Sequence, residues 1–212
     1  MYEVLEKRTY RTWDELTDKE KDNARFGDNS LTRILSEDFT DTFRYEFERL
    51  VTANGFPEDL KYYWSISYCQ GDGCSFVGLV PVTEKLLMTA FSGCIWTAGM
   101  TTLRYMIADG QAKIVFDISS VGRYSHENTM RISLDHAYVG DTSRLNGIGG
   151  SSTKVSDAIE LLEESILSLA KSLCREAYII GNKTMDDING SDNVWAVCET
   201  YGILFDMLGK PM

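Results

Sequence analysis

Apolar side chains recur at every fourth position between Ser30 and Ala53, with acidic residues mostly between them. This spacing predicts one helix with a single buried stripe and a solvated opposite face. Asn54-Gly55 predicts a left-handed end to that helix, and Pro57 favours the same boundary. The stripe consists of Leu31, Leu35, Phe39, Phe43, Phe47 and Val51.

The segment before this helix combines an extended pattern with two helix-start signals. Residues 2–10 are rich in aromatic and β-branched types and predict an edge strand. Thr12 with Glu15, and Thr17 with Glu20, have the spacing of capping boxes, which predicts a short helix near them. Residues 27–29 are expected to end it.

Two hairpins are predicted in the middle of the chain. In the first, alternation favours a register that places Cys69 opposite Cys74 and Trp64 opposite Leu79, around a type II′ turn at Gly71-Asp72. That register allows a disulfide, but two free thiols are favoured. In the second hairpin, apolar and polar residues alternate between a core face and an open face. The core face comprises Ala112, Ile114, Phe116, Ile118, Met130, Ile132 and Leu134, and the open face Lys113, Asp117, Arg131, Ser133 and Asp135.

Residues 83–109, between the hairpins, predict a helix interrupted or softened at Gly93 and Gly99 and ended by Gly110. Leu86–Leu103 carries no formal charge and raises a membrane span as an alternative. Its serine, threonine and glycine content favours a helix buried in protein instead.

The last third is predicted to be helical, after a turn-rich linker at 140–153. Apolar residues from Val155 to Leu173 alternate at spacings of four and three, as in a heptad seam. Such a seam favours packing inside the protein, with homodimerisation as the alternative. A loop at 182–190 and a final helix at 191–208 are expected.

These elements together predict an α+β fold. A small antiparallel sheet of two hairpins plus the N-terminal strand is expected to pack against several helices. The predicted organisation is an α+β domain at 1–150, followed by C-terminal helices at 151–212 packed on the same core.

The charge pattern narrows the choice of partners. The net charge is −11; residues 1–60 carry 9 basic and 15 acidic side chains, and residues 151–212 carry 5 and 10. Direct nucleic-acid binding is therefore not expected, because it depends on neutralising phosphates with Lys and Arg. The acidic surface favours solubility and also suits a partner protein with a basic surface. The absence of a signal-peptide pattern at the start and an odd count of 5 cysteines favour the cytoplasm.

No strong catalytic, cofactor or metal signature is present, and 2 histidines are too few for a multi-histidine metal centre. Polar residues instead cluster at the two hairpin turns, where they form a candidate binding site: Gln70, Asp72, Arg123, Tyr124, His126 and Asn128. His126 with a carboxylate suits acid–base work, and Arg123 suits an anion. The favoured interpretation is structural, with Asp72 and Asn128 forming turns and His126 capping a loop.

The motif pair at these turns resembles that of small proteins encoded by bacteriophages and prophages, mostly of unknown function and sometimes labelled antitoxin-like. The motifs are S-x-x-Q-G-D-G-x-x-F, from Ser67 to Phe76, and G-R-Y-x-H-x-x-T-M, from Gly122 to Met130. The likeness covers about residues 1–138. It implies a phage origin and action in the host cytoplasm, and it brings no catalytic residues.

Two functions of different classes follow. The preferred one is a non-enzymatic phage accessory protein that binds and inhibits a bacterial host protein, such as a defence or nucleic-acid-processing factor. The alternative is a small enzyme, or a binder of small anions or nucleotides, with its polar site at the two hairpin turns.

Overall fold

Six α-helices and a four-stranded antiparallel sheet form the described part of the chain, which confirms the α+β class. The computed structural model describes residues 10–26, 29–66, 72–94, 96–122, 126–140, 152–206 and 208–212. The helices are α1 (Asp18–Phe26), α2 (Ser30–Ala53), α3 (Glu84–Ala90), α4 (Ala98–Ala108), α5 (Ser152–Ile188) and α6 (Ser191–Tyr201). The strands are β1 (Lys61–Ser65), β2 (Gly73–Pro81), β3 (Ala112–Ser120) and β4 (Met130–Val139).

The chain divides into two compact units. One contains residues 1–44 and 181–212, and the other contains residues 45–180. We call them the terminal unit and the sheet unit. Both α2 and α5 continue from one unit into the other.

The sheet is a meander in which each strand pairs with its neighbour in sequence, in the order β1-β2-β3-β4. Residues 66–72 join β1 to β2, and residues 121–129 join β3 to β4. Because the strands alternate in direction, these two connections lie at the same end of the sheet. The predicted N-terminal strand at 2–10 lies almost wholly outside the described residues; Arg11, just after it, forms an antiparallel bridge with Phe205.

The predicted register of the first hairpin is wrong. Trp64 lies opposite Cys74 rather than Leu79, a shift of five positions. An odd shift exchanges the two faces of a strand, so β2 turns Phe76 into the core instead of Val77 and Leu79. Phe76 is fully buried, whereas Leu79 is 53% exposed. The physical reason is that this register buries three apolar side chains of β2 completely, those of Cys74, Phe76 and Val80. Gln70 and Gly71, at the predicted turn, lie outside the described residues.

The second hairpin has the predicted faces on β3, where Ala112, Ile114, Phe116 and Ile118 are all buried. On β4 the agreement ends after Met130, because Ile132 is half-buried and Leu134 is 42% exposed. A bulge between Val115 and Phe116 in the pairing with β4 leaves Asp135 as the extra residue. The five predicted open-face residues are exposed or half-buried: Lys113, Asp117, Arg131, Ser133 and Asp135.

The predicted helix at 30–53 is confirmed as α2, and all six residues of its apolar stripe are buried. Gly55 ends this segment with a φ of 94°, as expected of a left-handed terminus. In the sheet unit, the ring of Phe76 packs edge-on against Phe47 and Phe56, at centroid distances of 6.4 and 5.1 Å. These aromatic contacts join α2 to the core face of the sheet.

The middle segment differs from the predicted interrupted helix in where the break falls. Residues 91–97 separate α3 from α4, and Gly93 lies within that break with a φ of 81°. Gly99 instead lies inside the first turn of α4 and is buried. Gly110 follows the end of α4 with a φ of 68°, as predicted. No helix among the described residues is long and apolar enough to cross a membrane.

The terminal unit has a core of its own, which includes Trp13, Leu31, Val194 and Phe205. Both predicted capping boxes form at its start. Glu15 accepts from the Thr12 amide at 2.7 Å, and Glu20 accepts from the Thr17 amide at 2.9 Å.

The predicted C-terminal boundaries are wrong. Residues 182–188, predicted as a loop, continue α5, and Ile188 packs against the core of the terminal unit. The last helix ends at Tyr201 rather than 208, because Gly202 adopts a left-handed φ of 62° and caps it. Of the predicted heptad seam, Leu162, Ile166 and Leu173 are buried, while Ile159 and Leu169 are half-buried. The side chain of Val155 and the predicted linker at 141–151 lie outside the described residues.

Candidate functional site

The described residues of the two predicted turn clusters, which include Asp72, His126 and Asn128, lie at one end of the sheet, as the meander requires. The short 3₁₀ turn Glu127–Thr129 also contacts β2, which begins directly after Asp72. Gln70, Arg123 and Tyr124 lie outside the described residues. Asp72, His126 and Asn128 are therefore the predicted site residues whose contacts are known.

Asp72 closes the base of the first turn. Its Oδ1 accepts a hydrogen bond from the Ser65 hydroxyl at 2.7 Å. Ser65 is the last residue of β1, and Gly73, opposite it, is the first residue of β2. The carboxylate of Asp72 thus holds the two strands together where they diverge into the connection.

His126 caps the 3₁₀ turn of the second connection. Its Nδ1 lies 3.1 Å from the backbone nitrogen of Asn128 and 2.9 Å from Oε2 of Glu127. One nitrogen cannot accept from the amide and donate to the carboxylate at once, so only one of the two contacts is a hydrogen bond in any one tautomer. Asn128 accepts from Nη1 of Arg131 through its backbone carbonyl, at 3.1 Å. These contacts agree with a structural role for His126 and Asn128.

Three buried sulfur-containing residues, Cys74, Met130 and Cys174, lie beneath this end of the sheet, and we call them the sulfur cluster. Cys174 Sγ on α5 donates to Met130 Sδ at 3.6 Å. Burial, together with the negative charge of Glu127, raises the pKa of Cys74 to about 12. Burial likewise raises the pKa of Cys174. Neither thiol has the thiolate character that a nucleophile or a metal ligand needs. The described residues contain no group of three or more potential metal ligands.

A cleft opens on the other face of the sheet, where β2 changes its partner. Residues 73–77 of β2 pair with β1, and residues 78–81 pair with β3. Gly78 lies at the change with a φ of +142°, a conformation that other residues rarely adopt. The cleft has a volume of about 530 Å³, in the range of small-molecule sites. Its polar lining residues include Asp59, Lys61, Tyr63, Ser75, Asp117 and Ser119.

Ser75 is the most unusual of the lining residues, because its hydroxyl is buried and has no hydrogen-bond partner in the part of the chain that the structure describes. It is only 1% exposed, and its Oγ has no hydrogen-bond partner among the described residues. It lies directly opposite Tyr63, whose side chain is 46% exposed. A buried hydroxyl without a partner is unusual in a folded protein.

The charges of the cleft are unequal, since Asp59 and Asp117 face one cation, Lys61. Arg131 lies opposite Ser119 across β3 and β4, but its Nη1 donates to the backbone carbonyls of Asn128 and Met130. The ionisable residues that line the cleft therefore carry a net negative charge at neutral pH.

Of these lining residues, only Asp117 was predicted to lie on an exposed face. Ser75 was missed because the predicted register gave β2 the opposite faces, and no pattern in the sequence singled out Lys61, Tyr63 or Ser119. One signal was available: Gly78 interrupts an apolar strand, and an isolated glycine in a strand indicates a bulge or a close approach.

Fold and site together define an α+β protein whose four-stranded meander has an exposed face with a polar cleft. Residues 37–180 match a family described as a domain of unknown function (DUF8835), and the chain belongs to that family. The match spans all four strands, the cleft and most of α5. No curated protein and no solved structure matches the chain.

Proposed function

We propose that this protein is a non-enzymatic binding protein whose open sheet face docks a partner protein with a basic surface. From the resemblance of its turn motifs to those of phage and prophage proteins, we propose that the partner is a bacterial host protein and that docking inhibits it. A defence or nucleic-acid-processing factor suits such a role, because proteins that bind nucleic acid carry basic surfaces.

The observation that supports this proposal most directly is the exposed open face itself. Leu79, Tyr63 and Tyr138 are 53%, 46% and 64% exposed there. They share the face with Lys113 and Asp117. Exposed aromatic and aliphatic side chains among charged ones are typical of protein-binding surfaces, in which the apolar residues supply affinity and the charges supply specificity.

The acidic helices contribute in a different way. The open face has charges of both signs, whereas the excess of acidic residues lies in the first 60 residues and the last third of the chain. Such an excess attracts a basic partner over several ångströms and raises the rate of association, an effect that salt weakens. We therefore expect association to slow as ionic strength rises, while contacts at the open face set the dissociation rate.

The test compares two exposed leucines of the sheet unit. Leu79 is 53% exposed on the open face, and Leu161 is 42% exposed on α5. The wild type, Leu79→Asp and Leu161→Asp are used as baits in bacterial lysate at low and high salt, with quantitative mass spectrometry. A specific partner should be recovered by the wild type and by Leu161→Asp, and lost with Leu79→Asp. Its purified form should lose activity when the wild type is added.

Equal recovery by all three baits would show that the open face is not the docking surface. Recovery of a specific partner whose activity is unchanged by saturating wild-type protein would remove the inhibitory role and leave the docking role.

The alternative, a small enzyme or a binder of small anions or nucleotides at the turns, has less support. Asp72 is hydrogen-bonded to Ser65, and the Nδ1 of His126 lies against the backbone of its own turn. A nucleotide titration followed by calorimetry tests this alternative directly, since saturable binding that Asp72→Asn and His126→Ala abolish would favour it over protein docking.

A further inference from the structure

One polar atom in the cleft between β2 and β3, the Oγ of Ser75, lacks a hydrogen-bonding partner within the described part of the chain. The Oγ of Ser75 is buried and unpartnered among the described residues, although Ser75 lines a cleft of about 530 Å³. Burying a hydroxyl without a hydrogen bond is unfavourable, so an occupant that supplies a donor or an acceptor there is stabilised relative to one that supplies neither. This single atom favours a polar ligand, and the charges around it decide which kind.

The walls of the cleft specify the charge of that ligand. Asp59 and Asp117 supply carboxylate acceptors, and Lys61 supplies one cation. An anion would meet net repulsion in such a site, whereas a cation would be attracted. The exposed ring of Tyr63, opposite Ser75, adds an aromatic face of the kind on which cations stack.

Among cations available on protein surfaces, guanidinium matches this arrangement best. It is planar, it carries five donors in a fixed fork, and it stacks on aromatic rings while donating to carboxylates in its plane. A lysine ammonium has three donors on one nitrogen and offers fewer simultaneous contacts to acceptors on different strands. Arginine is also one of the residues that contributes most to binding energy at protein interfaces.

We propose that the cleft receives an arginine side chain of the partner protein. Its guanidinium donates to the Asp117 carboxylate and to the Ser75 hydroxyl and stacks on the ring of Tyr63. This inference rests on the proposed docking function and names the chemistry at its centre. The proposed binding site is thus the cleft, and not the turn residues that the sequence predicted.

The first test uses a defined probe on the full chain. A blocked Gly-Arg-Gly tripeptide is titrated into ¹⁵N-labelled protein, alongside the same peptide with citrulline, which keeps the shape of arginine and lacks its charge. We expect saturable shifts at the backbone amides of Ser75, Tyr63 and Ser119, with a Kd on the order of 1–10 mM for one isolated side chain. The citrulline peptide should bind about tenfold more weakly.

Matched variants locate the effect in the cleft. Asp117→Asn and Ser75→Ala should each weaken arginine binding by about three- to tenfold. The controls are Asp109→Asn and Ser92→Ala, which make the same chemical changes at exposed positions outside the sheet and the cleft. They should leave binding unchanged. Backbone amide spectra of each variant report whether it is folded.

Equal binding of the two peptides, or no shift near Ser75 at about 100 mM arginine peptide, overturns the inference. It is also overturned if a partner is lost with Leu79→Asp but retained with both Asp117→Asn and Ser75→Ala; the docking function then stands without it. The reverse result is that the arginine peptide binds in the cleft but no partner protein is lost with Leu79→Asp. The guanidinium site then stands, and the protein-docking function fails.

Discussion

Glu20 accepts hydrogen bonds from both terminal nitrogens of Arg11, at 2.8 and 3.2 Å. Arg11 also donates to the backbone carbonyl of Asp206, through Nε at 3.3 Å and Nη2 at 3.1 Å. The pair therefore connects α1 to the C-terminal segment within the terminal unit. It also completes the capping box of α1, because Glu20 accepts from the amide of Thr17.

This pair makes the stability of the terminal unit depend on pH. The hydrogen bond from Arg11, followed by those from Thr17, lowers the pKa of Glu20 from 4.5 to about 2. A carboxylate with a lowered folded-state pKa contributes its stability above the unfolded pKa and loses it as the pH falls through the folded value. We expect Glu20→Gln to lower the thermal midpoint by about 2 °C at neutral pH.

The difference between Glu20→Gln and the wild type should shrink between pH 4.5 and about 2, the interval set by the two pKa values. Glu37→Gln is a suitable control, because Glu37 lies 4.0 Å from Arg33 in a pair whose side chains are about 70% exposed. Its substitution should change the midpoint little at any pH. A Glu20→Gln difference that persists unchanged at the acid end would contradict the ion-pair explanation.

The observed register of β1 and β2 makes opposite predictions for two neighbouring apolar residues. Phe76→Ala removes a fully buried ring and should destabilise the protein by about 3–5 kcal/mol. Leu79→Ala removes a side chain that is 53% exposed and should cost less than about 1 kcal/mol. Urea unfolding measures both. Comparable costs at the two positions would favour the alternative register, in which Leu79 faces inward.

The register could not be predicted from the apolar pattern because residues 76–80 are apolar on both faces of the strand, apart from Gly78. Periodicity selects a face only where polar and apolar residues alternate. The second hairpin has such alternation on β3, and there the predicted faces are confirmed. The cleft was not predicted either, since its buried hydroxyl, that of Ser75, lies on the face of β2 that was assigned wrongly.

The N-terminal helices, in contrast, could be predicted from interactions between residues that are close in sequence. The capping boxes at Thr12 and Thr17 depend on side chains three residues apart, and the stripe of α2 depends on one regular spacing. Neither requires knowledge of distant contacts. The end of α5 does require it, because residues 182–188 contain polar types that are common in loops, yet Ile188 packs against the core of the terminal unit. Tertiary packing overrides propensity there.

The close approach of Gly55 to α3 predicts a position where alanine is not tolerated. A Cβ on Gly55 would lie 2.7 Å from the backbone nitrogen of Leu86, and the φ of +94° is itself unfavourable for alanine. Gly55→Ala should therefore cost at least about 2 kcal/mol of unfolding free energy.

Gly93 is the matched control, with a φ of +81° and no described atom within 4 Å of a built Cβ. Gly93→Ala carries only the backbone cost, about 1 kcal/mol. If the two alanine variants are equally stable in urea, the contact between Gly55 and α3 does not exclude a side chain at position 55.

The cysteines differ enough in environment to be separated by alkylation. Cys94 is exposed, whereas Cys74, Cys174 and Cys198 are buried. Burial raises the pKa of Cys74 to about 12 and that of Cys198 to about 11, so the thiolate that reacts with iodoacetamide is scarce at these positions as well as shielded. At about pH 8, peptide mass spectrometry should find Cys94 alkylated within minutes and the three buried thiols protected for hours. In guanidinium chloride all four should react at similar rates, because unfolding removes both the shielding and the pKa differences.

Rapid alkylation of Cys74 or Cys174 in the native protein would contradict the burial of the sulfur cluster beneath the turn end of the sheet.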